Sequence, residues 1–199
     1  MKEKHDDGNW FAELIARFAP SVVEVTGETP EEMISSASWK AFGISTAAAL
    51  PPGPFGLATI LPELMAVTKL QMNLIYSIAA LHGKKGDLNP TLILLIFANE
   101  AGVKVGKTVA EKIGAKVIVK ALGSRSARAI ANKIGIQISA RITQKAVGRW
   151  VPFVMAPVFG AFSKSMTTRI GEEANRLFSQ DIVVEDGSSR QYQQAEQGC

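Results

Sequence analysis

A chain of 199 residues is long enough for one domain with its own core. Hydrophobic residues make up 47% and charged residues 20%, inside the globular range but leaning apolar, and the mean hydropathy of +0.13 points to a well-buried helical bundle or to contact with lipid. The single cysteine, Cys199, excludes an internal disulfide and a metal site built on thiolates, and the first residues lack the charged-then-apolar pattern of a secretory signal, so cytoplasmic residence is the expectation.

The net charge of +4 hides an asymmetry. Residues 1–40 carry four basic and eight acidic groups, whereas residues 101–178 carry fourteen basic groups against Glu111, Glu172 and Glu173. Such a basic half suits an anionic partner: a phospholipid surface, nucleic acid, or the acidic N-terminal part of the same chain.

In chain order, Trp10, Phe11, Leu14, Ile15 and Phe18 recur at helical spacing, which predicts a short amphipathic helix over 9–19 ended by Pro20. Thr29-Pro30-Glu31-Glu32 combines a capping threonine, a first-turn proline and a capping-box glutamate, and it starts a helix running to about residue 49. Pro51-Pro52-Gly53-Pro54 stops that helix, because residues before prolines avoid helical angles. Pro62 opens the next, which runs to His82 with Gly83 as its left-handed terminator. Asn89-Pro90 caps a helix over 90–100, and further helices are expected near 104–122, 126–148 and 151–178. The runs 92–97 and 117–119 are short, apolar and β-branched, and either could be a strand. The surrounding caps favour helix in both cases. From Ser179 onward the composition predicts disorder. The expected fold is all-α: an arm over 1–29, a single helical bundle over 30–178 with a Pro/Gly-broken apolar hairpin, and a disordered tail over 179–199.

Residues 41–82 carry only Glu63 and Lys69 as full charges. The proline turn interrupts the first half, and Lys69, Gln71 and Asn73 polarise the second, so neither half reads as a clean membrane span. Two placements stay open: an interfacial hairpin, and a hairpin buried within the bundle. Phe42, Pro52, Gly53 and Phe55, with Trp150, Phe153 and Phe159 of a second interrupted apolar stretch, are its expected lipid-facing residues. Lys112, Lys116, Lys120, Arg141, Lys145 and Arg149 are the expected lipid or anion contacts on helical spacing. Glu63, Lys69, Gln71 and Asn73 form a candidate polar seam. Glu63 reads either as complementing the helix dipole or as pairing with a cation of the basic half.

Two catalytic patterns are weak. Residues 101–108 fit a permissive phosphate loop, but alanine replaces its first glycine and no apolar strand ending in aspartate follows. His5 and His82 are the only histidines, too few for a metal site, and His82 suits a helix C-terminus. No catalytic residue, metal or cofactor is therefore expected. No aromatic residue falls between Phe97 and Trp150, which leaves nucleic-acid bases nothing to stack on in the basic half.

The apolar hairpin Ala47–Leu61, Glu63, the segment Leu70-Gln71-Met72-Asn73-Leu74-Ile75-Tyr76-Ser77-Ile78-Ala79-Ala80-Leu81-His82-Gly83 and the late Val151-Pro152-Phe153…Pro157-Val158-Phe159-Gly160-Ala161-Phe162 together resemble the EcsC family of bacterial helical proteins. The resemblance covers about residues 35–178. His82 stands where the family carries an aromatic residue, and Phe153-Val154-Met155-Ala156 is inserted in the late turn. Arg169 stands where the family's last helix has its basic position, which adds it to the candidate polar set. The resemblance implies a cytoplasmic protein associated with membranes and no established reaction. The expected function is peripheral association with the inner face of the cell membrane, without catalysis. The alternative is a soluble protein–protein interaction module, of adaptor or immunity type, with the hairpin packed inside.

Overall fold

The computed structural model describes residues 9–17, 29–49, 60–105, 110–113, 116–146 and 152–185, and within them not the side chains of 9, 60, 110–113, 141–146 and 152–155. Among the described residues the protein is a helical bundle with a small sheet. Its elements are α1 (Asn9–Arg17), α2 (Pro30–Ala48), α3 (Ile60–Leu81), a 3-10 turn (Lys85–Asp87), α4 (Pro90–Ala101), β1 (Ala110–Ile113), β2 (Lys116–Lys120), α5 (Ser124–Ala146), α6 (Pro152–Phe178) and β3 (Asp181–Glu185).

Helix boundaries follow local chemistry. Thr29 accepts from the Glu32 amide at 3.3 Å while the Glu32 carboxylate accepts from the Thr29 amide at 2.9 Å, a closed capping box with Pro30 in the first turn. Asn89 caps α4 by accepting from the Leu92 amide at 3.0 Å. Gly83 and Gly102 end α3 and α4 at φ +71° and +69°, where a side chain would strain the backbone.

The centre of the bundle is α2, α3 and α6. Ser45 and Ser163 share a hydrogen bond at 2.5 Å, and Ser38 and Thr168 another at 2.8 Å, so α2 and α6 run antiparallel. Gln71 donates to Thr167 at 3.0 Å and His82 meets Asn175 at 2.8 Å, so α3 and α6 run parallel. Two glycines on α6 set how closely the helices approach. A Cβ at Gly160 would collide with Thr46 Oγ1 and the Phe42 ring, and one at Gly171 would come within 2.5 Å of Ile34 Cγ1. On the other side of the bundle α1 packs on α5, and α4 on α5 and α6. Phe11, Phe97, Met72, Ile75, Ile78, Ile134, Ile170 and Phe178 close the core, with Phe11 meeting Phe97 edge-on at 5.1 Å.

Two expectations are corrected. Within the helix expected over 104–122 the structure has two strands, Ala110–Ile113 and Lys116–Lys120, with β1 pairing antiparallel with β2. Val117 and Val119 point to the core and alternate with the more exposed Lys116, Ile118 and Lys120, the period of a half-buried strand. Within the tail expected to be disordered, Asp181–Glu185 forms β3, which lies parallel to β2 from Lys116–Asp181 to Lys120–Glu185, and residues 186–199 lie outside the described residues. Ile182, Val183 and Val184 form an apolar, β-branched run inside a polar composition, and they give β2 a second neighbour. The run 92–97 lies within α4, as expected. The Pro51–Pro54 turn lies outside the described residues.

A candidate membrane-facing end

The antiparallel α2–α6 and parallel α3–α6 registers bring the C-terminus of α2 and the N-termini of α3 and α6 to one end of the bundle. From these registers Lys40, Lys69 and Lys164 stand within about a helical turn (~5 Å) of one level along the bundle, beside Trp39. Beyond that level the three helices present Gly43, Ala47, Leu61, Pro62, Met65, Ala66, Pro157, Val158 and Ala161 as their exposed described residues. None of these is charged. Leu61, Met65 and Val158 are 48%, 42% and 47% exposed, unusual for large apolar side chains clustered at one end. The polar groups of this end turn inward: Ser45 and Ser163 bond each other, Thr68 is buried, and Glu63, in the first turn of α3, is only 6% exposed.

Trp39 projects from α2 at 56% exposure, edge-on to Phe42 at 5.5 Å, with the Lys164 ammonium 3.3 Å from its ring centroid. A tryptophan among lysines, at the rim of an uncharged apolar end, is the residue pattern that settles at a bilayer interface. The helix over Leu61–Leu81 is by length and composition able to cross a membrane, yet 56% of its apolar window is buried inside the bundle. Its exposure is concentrated at Leu61, Met65 and Ala66, on the turns nearest the apolar end.

No family model, curated protein or solved structure matches the chain.

The resemblance to the EcsC family therefore rests on the short segments quoted above. The expected site residues separate. Phe42 and Phe159 lie at the apolar end; Phe159 is buried in its interior, and Phe42 is half-buried beside Trp39. Phe153 begins α6, whereas Pro52, Gly53, Phe55, Trp150 and Arg149 lie outside the described residues. Lys112, Lys116 and Lys120 do not share the helix that their spacing predicts, whereas Arg141 and Lys145 do lie one turn apart on a helix. Lys112 is on β1 opposite Val117, Lys116 and Lys120 are at the two ends of β2, and Arg141 and Lys145 are in the last turns of α5. A four-residue step that gathers side chains on a helix spans more than 10 Å along a strand.

The polar seam also divides. Gln71 is 1% exposed and bonded to Thr167; Lys69 is exposed; Asn73 is half-buried, with an Oδ1 that has no hydrogen-bond partner among the described residues. Arg169 turns outward to Glu100 at 3.5 Å. On the same helix Arg176 is held by Glu173 at 2.6 Å, and the hydrogen bond, then the charge, of that carboxylate raises the guanidinium pKa above its ordinary value. What the sequence did not single out is the set Trp39, Lys40 and Lys164. The signal was present: these residues flank the uncharged runs 41–62 and 150–163.

The phosphate-loop pattern at 101–108 meets the wrong context. The apolar run before it is helix α4 rather than a strand, and Gly102 is that helix's left-handed cap, its amide directed to Ala98 and Asn99. Among the described residues no three histidine, cysteine or carboxylate side chains converge as metal ligands.

Proposed function

We propose that this protein docks peripherally on a membrane by the uncharged end of its bundle. Leu61, Met65 and Val158 enter the interface, and Trp39, Lys40, Lys69 and Lys164 sit at the headgroup level. The single observation that carries this reading is the meeting of three helix ends that, among the described residues, expose no charge beyond a rim of one tryptophan and three lysines. Leu61, Met65 and Val158 are about half exposed, so each contributes about half of a full burial, roughly 1 kcal/mol, and each lysine near an anionic surface about 1 kcal/mol. A handful of such groups suffices for reversible attachment. The EcsC resemblance points the same way, and the cationic rim favours an anionic cytoplasmic leaflet.

Sedimentation of the full-length protein with phosphatidylcholine vesicles, with and without phosphatidylglycerol, tests the reading. Binding to both, stronger with phosphatidylglycerol and weakened by salt, is the expected result. Absence from both pellets at low salt overturns it. A second reading, a soluble interaction module with its hairpin buried, draws on the 56% burial of the Leu61–Leu81 window. It predicts that the protein stays in the supernatant and is monodisperse without detergent.

A further inference from the structure

On the outer side of the α2–α6 interface two hollows of about 570 and 510 Å³ adjoin, sharing Trp39, Lys164, Thr168 and Glu172. One extends over Phe42 and Ala161 toward the uncharged end, and the other over Ser35 and Ser38 away from it. Between the larger side chains that line it, Ser38 and Thr168 are drawn onto each other at 2.8 Å, which leaves room where α2 and α6 meet.

We propose that this groove is a phospholipid site. The phosphate of one anionic headgroup sits between Lys164 and Arg169, and the acyl chain lies over Phe42 and Ala161 toward the uncharged end. The proposal rests on the membrane reading above and names the lipid chemistry that the docked protein selects.

Lys164 is the centre of the argument. Among the described residues it has no carboxylate within ion-pair distance, and its ammonium rests on the face of Trp39. A ring face balances part of the charge and leaves N–H donors unspent. Arg169 is 65% exposed, and its contact with Glu100 uses one nitrogen at 3.5 Å, so most of its donor fork is available. Phosphate oxygens are the acceptors that such donors bind best.

The groove is also polarised along its length. Phe42 and Ala161 lie in the part toward the uncharged end, where Lys164 and Arg169 stand with Glu172, whereas Glu31, Ser35, Asn175 and Arg176 belong to the far part alone. Arg176 in the far part is held by Glu173 at 2.6 Å, and the mostly polar side chains there offer an acyl chain little apolar floor, so the chain has one direction. With Lys164 at the rim level, the lipid can occupy the groove without leaving the leaflet. A free phosphate would leave the Phe42–Ala161 floor uncovered, which is why the occupant is a lipid.

The test titrates full-length protein with dihexanoyl-phosphatidylglycerol below its micelle concentration and follows tryptophan fluorescence, with glycerol 3-phosphate as the chain-free control. We expect a saturable change that is absent in Trp39→Phe. Lys164→Gln should weaken it at least about tenfold, the scale of one lost charge-assisted hydrogen bond. Both substitutions are on the solvent side, and circular dichroism checks that the fold is kept. The proposal is overturned if glycerol 3-phosphate gives the same change at the same concentration, if Lys164→Gln binds as tightly as wild type, or if no change occurs. Pelleting with vesicles without short-chain lipid binding removes the groove and leaves the docking. Short-chain lipid binding without pelleting removes the docking and leaves the groove.

Discussion

Gln71 donates its side-chain amide to the hydroxyl of Thr167 at 3.0 Å, joining two residues 96 apart in the chain at a point where both are almost fully buried. The bond sets the parallel register of α3 on α6, and with it the level at which Lys69 and Lys164 stand together. A buried polar pair costs most when only one member is removed, because the other keeps its desolvation penalty. Gln71→Leu is therefore expected to lower stability by about 1–3 kcal/mol, and Gln71→Leu with Thr167→Val to recover part of that loss. Chemical denaturation of the two variants against wild type measures both quantities.

The close approach of α2 and α6 depends on Gly160. An added Cβ there would press on Thr46 Oγ1 and on Phe42 Cδ2 at 2.8 Å. Alanine is the better helix former by about 1 kcal/mol, but overpacking costs about 1–3 kcal/mol, so Gly160→Ala should be net destabilising. Gly43, on an exposed face of α2, has nothing within 4 Å of an added Cβ. Gly43→Ala should keep the propensity gain and raise the melting temperature. Opposite shifts for the two substitutions are the expected outcome, read by thermal unfolding.

Elements whose signals are local were legible in the sequence. The capping box at Thr29, the Asn89-Pro90 cap and the glycine terminator at 83 each place a helix end through contacts a few residues apart, and the structure puts the ends there. The sheet was not legible, because β2 is a strand only in company. Val117-Ile118-Val119 is too short to show a period, and its partner Ile182-Val183-Val184 lies over 60 residues away in a segment whose composition reads as unstructured. The apolar end was legible only in part. The uncharged runs are visible in the chain, but the register that sets Lys164 against Trp39 comes from the Ser45–Ser163 and Ser38–Thr168 pairs, and nothing in either helix alone predicts it. The layout of Lys112, Lys116 and Lys120 was misread because a four-residue spacing gathers side chains only on a helix, and these three lie on strands.

Because β3 is the sole neighbour of β2 on one side, its backbone contributes to holding Val117 and Val119 in the core. Val184 lies opposite Val119 in the parallel pair. The Ala121 amide donates to the Glu185 carbonyl, so alternate residues 181, 183 and 185 turn their backbone groups to β2 and the Val184 amide faces the other way. Val183→Pro therefore removes a ladder donor and is expected to cost about 1–2 kcal/mol, or roughly 2–8 °C in melting temperature for a chain of this size. Val183 is 43% exposed, so Val183→Lys should leave the melting temperature within about 2 °C of wild type.

The uncharged end makes the most discriminating prediction, because its residues contribute little to the folded monomer. Met65 and Val158 are exposed, so aspartate at either position removes no core contact, and surface substitutions of this kind usually stay within about 0.5 kcal/mol of wild-type stability. On a membrane the same substitutions act twice, losing the burial of an apolar side chain and bringing a carboxylate toward hydrocarbon and anionic headgroups. Met65→Asp and Val158→Asp should therefore each reduce sedimentation with phosphatidylglycerol-containing vesicles by more than about tenfold while leaving the melting temperature unchanged. Lys116→Gln and Lys120→Gln, on β2 and away from the three helix ends, should change vesicle binding by less than about threefold, a loss of under 1 kcal/mol. The reverse pattern, in which the strand lysines matter and the apolar end does not, would move the contact surface to the basic half of the chain and leave the exposed Leu61, Met65 and Val158 without a role in docking.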